Sequence, residues 1–118
     1  MTTPATTISV TTGTPRITLV NVFTVAPEHQ DALVEALDEA TRSIFVKVPG
    51  FISANLHASL DGTRVVNYAQ WADEASYAAA LRDPEVREHV QHAAGLAQAY
   101  DPTLAQVRSV HHADTAGS

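Results

Sequence analysis

Cysteine is absent from this chain, which excludes a disulfide framework, a thiolate nucleophile and a cysteine-based metal centre, and nothing suggests secretion. Long apolar runs are missing too. No stretch approaches the ~18 consecutive apolar residues that cross a bilayer, so no membrane role is expected. Met1 to Arg16 lacks the apolar core of a secretory signal, and the reading is a cytoplasmic protein. Basic residues are few: 7 Lys and Arg against 13 Asp and Glu leave a formal net charge of −6. A nucleic-acid surface needs clustered Lys and Arg, so no nucleic-acid partner is expected. The acidic balance serves solubility.

What remains is globular. With 118 residues, 45% of them hydrophobic and 17% charged, the chain makes one domain around one sizeable core. Residues 1–15 are rich in Thr and read as a flexible arm, residues 16–112 as the folded domain, and residues 113–118 as a flexible tail.

Ile17 to Val25 is apolar and β-branched, a strand signal. Pro27-Glu28 opens a helix whose apolar stripe (Leu33, Leu37, Ala40, Ile44, Val48) runs to the Pro49-Gly50 stop. Phe51 to Leu60 alternates, Asp61-Gly62 is a hairpin turn, and Thr63 to Trp71 is the returning strand. Asp73 caps a short helix through Leu81, and Asp83-Pro84-Glu85 starts another that reaches the mid-90s. Pro102 is read as ending that segment, with a final strand over Leu104 to His111. Strand, helix, strand, strand, helix pair, strand is the α+β, ferredoxin-like split βαβ order. Its helices cover one face of the sheet. A second copy covering the other would make a homodimer, a dimeric α+β barrel.

The returning strand carries the chemistry. Val65, Asn67, Ala69 and Trp71 share one face, and Asn67 and Trp71 emerge about 13 Å apart. Small Ala69 leaves open floor between two side chains whose donors need partners. The same residues also suit plain core and sheet-edge roles. His57 depends on the turn. A two-residue Asp61-Gly62 loop pairs it with Val66 and turns it away from Asn67. A three-residue Leu60-Asp61-Gly62 turn pairs it with Val65, on the Asn67 face together with Ser53 and Asn55. Glycine at the left-handed position favours the three-residue form. Tyr77, four residues past the Asp73 cap, folds back toward Trp71. Asn21 interrupts an apolar strand, as a pocket residue or a sheet-edge one. Arg87 lies on the next helix. His89 and His92 have a metal-chelating spacing but no third ligand, so no metal site is expected.

Pro49-Gly50-Phe51, Asp61-Gly62-Thr63 and above all Val65-Val66-Asn67-Tyr68-Ala69-Gln70-Trp71 resemble the antibiotic biosynthesis monooxygenases. The likeness is nearest to the quinone-forming enzymes of the actinorhodin type and the anthrone oxygenases. It covers roughly residues 17–110. It implies a dimeric α+β barrel with a pocket in each subunit, oxidising phenolic or anthrone-type polyketides to quinones with O₂ and no cofactor. The family's pocket residues match as His57, Asn67, Trp71 and Tyr77 in catalytic roles, with Arg87 as a further match and substrate contact; Asn21, from its place on the first strand, is read as a second substrate contact. In that scheme Asn67 and Trp71 stabilise developing negative charge, Tyr77 holds a phenol or relays a proton, and His57 is a base. Haem-degrading enzymes of the same fold share Asn21 and a histidine near His89. They carry a tryptophan on the helix where this chain has Ala78 to Ala80. A non-catalytic dimer binding small aromatic molecules is the third alternative.

Overall fold

Strand pairing is set by the β-branched segment near the start of the chain. In a computed structural model, residues 10–114 are described; the readings of an arm over residues 1–15 and a tail over 113–118 fall mostly outside them. β1 (Ile17–Thr24) lies inside a four-stranded sheet of order β2-β3-β1-β4. It is flanked by β3 (Arg64–Trp71) and β4 (Ala99–Ala105), and β2 (Phe51–Ala58) takes the far edge. All pairs are antiparallel. Helices α1 (Gln30–Ser43), α2 (Glu74–Arg82) and α3 (Pro84–Leu96) supply the buried side chains that meet the sheet. This is the α+β ferredoxin-like fold. Among the described residues no helix is long and apolar enough to cross a membrane.

Two ends differ from the sequence expectation. The first helix stops at Ser43 rather than Val48, and a separate 3₁₀ turn follows at Phe45–Lys47. β-Branched Ile44, Val46 and Val48 crowd a helix, and the Thr41 hydroxyl donates back to the Leu37 carbonyl at 2.8 Å, a bond that loosens a helix end. The turn swings Phe45 onto Trp71, ring centroids 6.2 Å apart. The last strand is Ala99–Ala105, not Leu104 to His111. Pro102 sits inside it, opposite Asn21. Because β4 is an edge strand, the N–H that proline lacks is not missed. Residues 106–114 carry no regular structure.

The inner face of the sheet divides the core in two. Phe23, Val25, Leu33, Val65 and Ala93 form one cluster. Ile17, Trp71 and Ala80, backed by Phe45, Phe51 and Tyr77, form the other.

Two loops hold the geometry. Gly50 has φ +85°, and a Cβ there would sit 2.3 Å from the Ser76 side chain. Its carbonyl accepts the Ala72 N–H at 2.7 Å, tying the turn before β2 to the start of α2. Both the dihedral and the close approach require glycine. In the hairpin loop, Asp61 accepts from the Thr63 N–H, the Thr63 hydroxyl and the Ser59 hydroxyl. These bonds hold its carboxyl down from 3.8 to about 2, the Thr63 hydroxyl being the largest cause.

Gly50→Ala is expected to destabilise by at least ~2 kcal/mol, seen as a lower urea midpoint at unchanged m-value. A depressed carboxylate contributes stability above its unfolded value and loses it as pH falls through the folded one. Acidification from the ordinary 3.8 to about 2 should therefore weaken the fold, and Asp61→Ala should flatten that part of the pH–stability curve.

Candidate active site

Three rows of side chains cross the inner face of the sheet. Phe51, Trp71 and Ile17 make the first, and Ala54, Ala69, Leu19 and Leu104 the second. The third is Leu56, Asn67, Asn21 and Pro102. The alanine row is low, so the sheet cannot fill the space between the two apolar clusters. A cavity of about 240 Å³ results, floored by all four strands and roofed by the helices through Leu37, Leu81 and Val90. With strands about 4.8 Å apart, that floor is about 14 Å across.

Asn67 and Asn21 face each other across β3 and β1. The Oδ1 of each is buried and has no hydrogen-bond partner among the described residues, although both side chains line the cavity. An unpaired buried carbonyl costs about 1–3 kcal/mol, and such an atom calls for a donor from outside the chain. Trp71 forms the end wall. It is 2% exposed, with edge-on contacts to Phe51 at 5.4 Å, Tyr77 at 5.7 Å and Phe45 at 6.2 Å. Tyr77 reaches it because Asp73 caps α2, its Oδ1 accepting the Ser76 N–H at 2.7 Å. Burial raises the Tyr77 phenol above 10.0, so it stays protonated at neutral pH.

The structure thus brings Asn21, Asn67, Trp71 and Tyr77 to one cavity, and it leaves His57 and Arg87 off its wall. The three-residue turn does not form. Ser59 donates to the Arg64 carbonyl at 3.0 Å, and the Gly62 N–H reaches the Ser59 carbonyl at 3.1 Å. Gly62 does take the left-handed φ of +81°. Thr63 nevertheless joins the loop, held by Asp61, and gives it four residues (Leu60 to Thr63), an even number. His57 therefore pairs with Val66 and is exposed on the opposite face. Ser53 and Asn55 pair with Gln70 and Tyr68 on that face as well. Arg87 follows buried Val86 on α3, whose inward stripe is Val86, Val90 and Ala93, and it points to solvent.

Sequence reasoning missed Phe45, Phe51, Thr41 and Tyr100 as cavity residues. Tyr100, 53% exposed, stands at the β4 side and packs on Phe23 at 6.1 Å. Its misplacement followed from reading Pro102 as a stop. The cavity's ionisable side chains are Tyr77 and Tyr100; no histidine, carboxylate, lysine or arginine lines it among the described residues. Such a wall can hold a flat apolar molecule and hydrogen-bond to its oxygens, but it supplies no base for neutral pH.

A family model for antibiotic biosynthesis monooxygenase matches residues 16–92. Tetracenomycin-F1 monooxygenase of Streptomyces glaucescens is 50% identical over 72 residues, 61% of this chain and 64% of that protein. The match therefore spans less than two thirds of that relative. The solved structure of an asparagine-to-alanine mutant of SnoaB, a cofactor-independent oxygenase from Streptomyces nogalater, superposes with a TM-score of 0.68 at 26% identity. It covers 81% of this chain and 96% of its own. The ActVA-Orf6 monooxygenase of Streptomyces coelicolor, solved with nanaomycin D, gives 0.67 at 33% identity, over 86% and 94% of the two chains.

If the two carboxamides are kept for a ligand and not for the fold, Asn67→Leu should keep or raise stability. The expected gain is up to about 1–3 kcal/mol in urea unfolding. A clear loss would mark Asn67 as structural.

Proposed function

The chain belongs to the antibiotic biosynthesis monooxygenase family, and on that premise we propose that it is a cytoplasmic, cofactor-independent monooxygenase oxidising a phenolic or anthrone-type polyketide to a quinone with O₂. The observation that carries this reading is the cavity itself: apolar, about 14 Å across, and lined by two asparagine side chains whose buried Oδ1 atoms have no partner among the described residues. Similarity to tetracenomycin-F1 monooxygenase, SnoaB and ActVA-Orf6 supports it.

In this reading the substrate does the redox work. Triplet O₂ takes one electron from an electron-rich carbanion or phenolate, so the substrate must first lose a proton. The anion passes an electron to O₂, the two radicals combine to form a C–O bond, the resulting peroxide anion takes back a proton from water, and the hydroperoxide expels water to leave the quinone. One substrate and one O₂ give one quinone and one water. Asn67 and Asn21 accept phenolic O–H groups through Oδ1, and their Nδ2 groups face an oxygen that gains charge. Trp71 offers its indole N–H and a flat wall. Preorganised donors of this kind stabilise developing charge strongly because they need not reorient. Tyr77 remains a neutral donor. With His57 on the other face, the proton leaves to water, and the substrate's own acidity sets the rate. Arg87 would meet substrate only outside the cavity. A haem-degrading role would need an iron-ligating histidine, and His57 and His89 both lie off the cavity wall.

The outer face of the sheet fits a homodimer. Val20, Val22, Val66 and Tyr68 lie side by side on it and are only half-buried in a single chain. Symmetric pairing of two such faces would bury them.

Incubation of the purified protein with an anthrone in air is expected to consume O₂ and yield the quinone without added metal or flavin. Asn67→Ala should lower kcat by about 10²–10³-fold, and Trp71→Phe should lower it as well. His57→Ala should leave the rate and its pH profile in place, the profile shifting instead with the acidity of the substrate. Full activity in Asn67→Ala would sink the assignment. Light scattering in solution should give twice the chain mass of 12.6 kDa, and a monomer would remove the dimer.

A further inference from the structure

The cavity does not end at β2. A groove of about 570 Å³ runs between α1 and the free edge of β2, and it shares Thr41 and Ala54 with the cavity. These two small side chains are all that the two spaces have in common, so the partition there is one residue thick. At the far side the cavity reaches Tyr100 and Pro102 on β4. The space therefore traverses the sheet from one edge to the other.

The size of the cavity bears on what it holds. About 240 Å³ is below the ~300–1,000 Å³ usual for small-molecule sites, so a polycyclic ligand with substituents overfills it. The groove offers the additional room, and its chemistry differs. Glu35 and Asp38 line the helix side, carboxylates that only accept hydrogen bonds. Asp38 is shared with Arg42 at 3.4 Å in an exposed pair, whereas Glu35 has no ion pair among the described residues. The Thr41 hydroxyl already donates to Leu37 and presents only lone pairs. The strand side includes Asn55, whose Nδ2 already donates to the Tyr68 carbonyl at 3.0 Å, and the exposed His57 imidazole at the groove's outer rim. Ser59 donates inward to Arg64, so by antiparallel alternation the N–H and C=O of Ala54 and Leu56 face the free edge.

We propose that this groove is a second lobe of the substrate site, holding a hydrogen-bond-donating substituent (hydroxyl- or amine-bearing) of a ligand whose ring system fills the cavity. The proposal rests on the functional reading above, since it needs the cavity to hold the rings. Thr41 and Ala54 form the neck through which the substituent leaves. Glu35 and Asp38 accept from it, and the strand edge donates to its oxygen. The lobe then selects among substrates by the arm they carry, apart from the chemistry at Asn67.

Trp71, the chain's one tryptophan, stands in the cavity wall and reports occupancy by fluorescence quenching. Five anthraquinone probes are titrated: one without an arm, one with a short dihydroxypropyl ether arm, one with an aminopropyl ether arm, and the O-methylated and N-methyl-N-acetylated forms of those two. Donor arms should bind about tenfold more tightly than their capped forms, the scale of a hydrogen bond to a charged group. The hydroxyl and amine arms show which donor is preferred. In E35Q/D38N that ratio should fall toward one, and Ala54→Leu, which plugs the neck, should weaken the armed probes most. Equal affinities for donor and capped arms in the native protein, or a ratio unchanged in E35Q/D38N, would overturn the proposal while leaving the cavity reading intact. Failure of even the armless probe to quench Trp71 would overturn both.

Discussion

The facing asparagines Asn21 and Asn67 govern the rest of this molecule. They sit side by side in the middle of the sheet's inner face, where a folded chain would gain most from apolar contact. Flanked by the low Ala54–Ala69 row, they split the core into two clusters and keep a cavity between them. Their buried oxygens go unpaired, a cost in stability that a ligand with hydroxyl groups would remove. Everything else about the site is arrangement around that gap.

The arrangement is stiff at one end and open at the other. Trp71 is pinned by three rings, and two of them arrive through local backbone devices. The 3₁₀ turn after α1 delivers Phe45. The Gly50–Ser76 contact and the Asp73 cap deliver α2, and with it Tyr77. Interiors packed like crystals transmit small shifts, so a methyl group at Gly50 would be felt at Tyr77. Toward β4 the wall thins to half-exposed Tyr100 and an edge strand, and toward β2 to Thr41 and Ala54. A flat ligand thus has a fixed stop for its rings and two sides where substituents can emerge.

Loop parity has the largest chemical consequence. One residue more in the β2–β3 loop than the three-residue turn reverses which residues of β2 share a face with Asn67, because side chains alternate with period two. Thr63 makes that difference by joining the Asp61 hydrogen-bond network. His57 leaves the cavity wall for the opposite face of β2. A cavity lined by amides, an indole and phenols can hold an anion but offers no histidine, carboxylate or lysine among the described residues to create one; in the proposed reaction, proton loss falls to the acidity of the substrate.

Much of this was legible in the linear sequence, where the determining physics is local. Alternation placed Asn67, Ala69 and Trp71 on one face, Asp73 and Asp83 announced their helices, and Pro49-Gly50 marked the turn before β2. Tertiary structure decided what depends on distant partners. Pro102 looks like a terminator until β4 is known to be an edge strand that never needs its N–H. The face of His57 hung on whether Thr63 would join the loop, a balance of hydrogen bonds among Ser59, Asp61 and Thr63. Arg87 was assigned by a helix register that only the burial of Val86 and Ala93 against the sheet could set. The unpartnered state of Asn21 and Asn67 came last of all, since an orphaned atom is defined by everything that packs around it without reaching it.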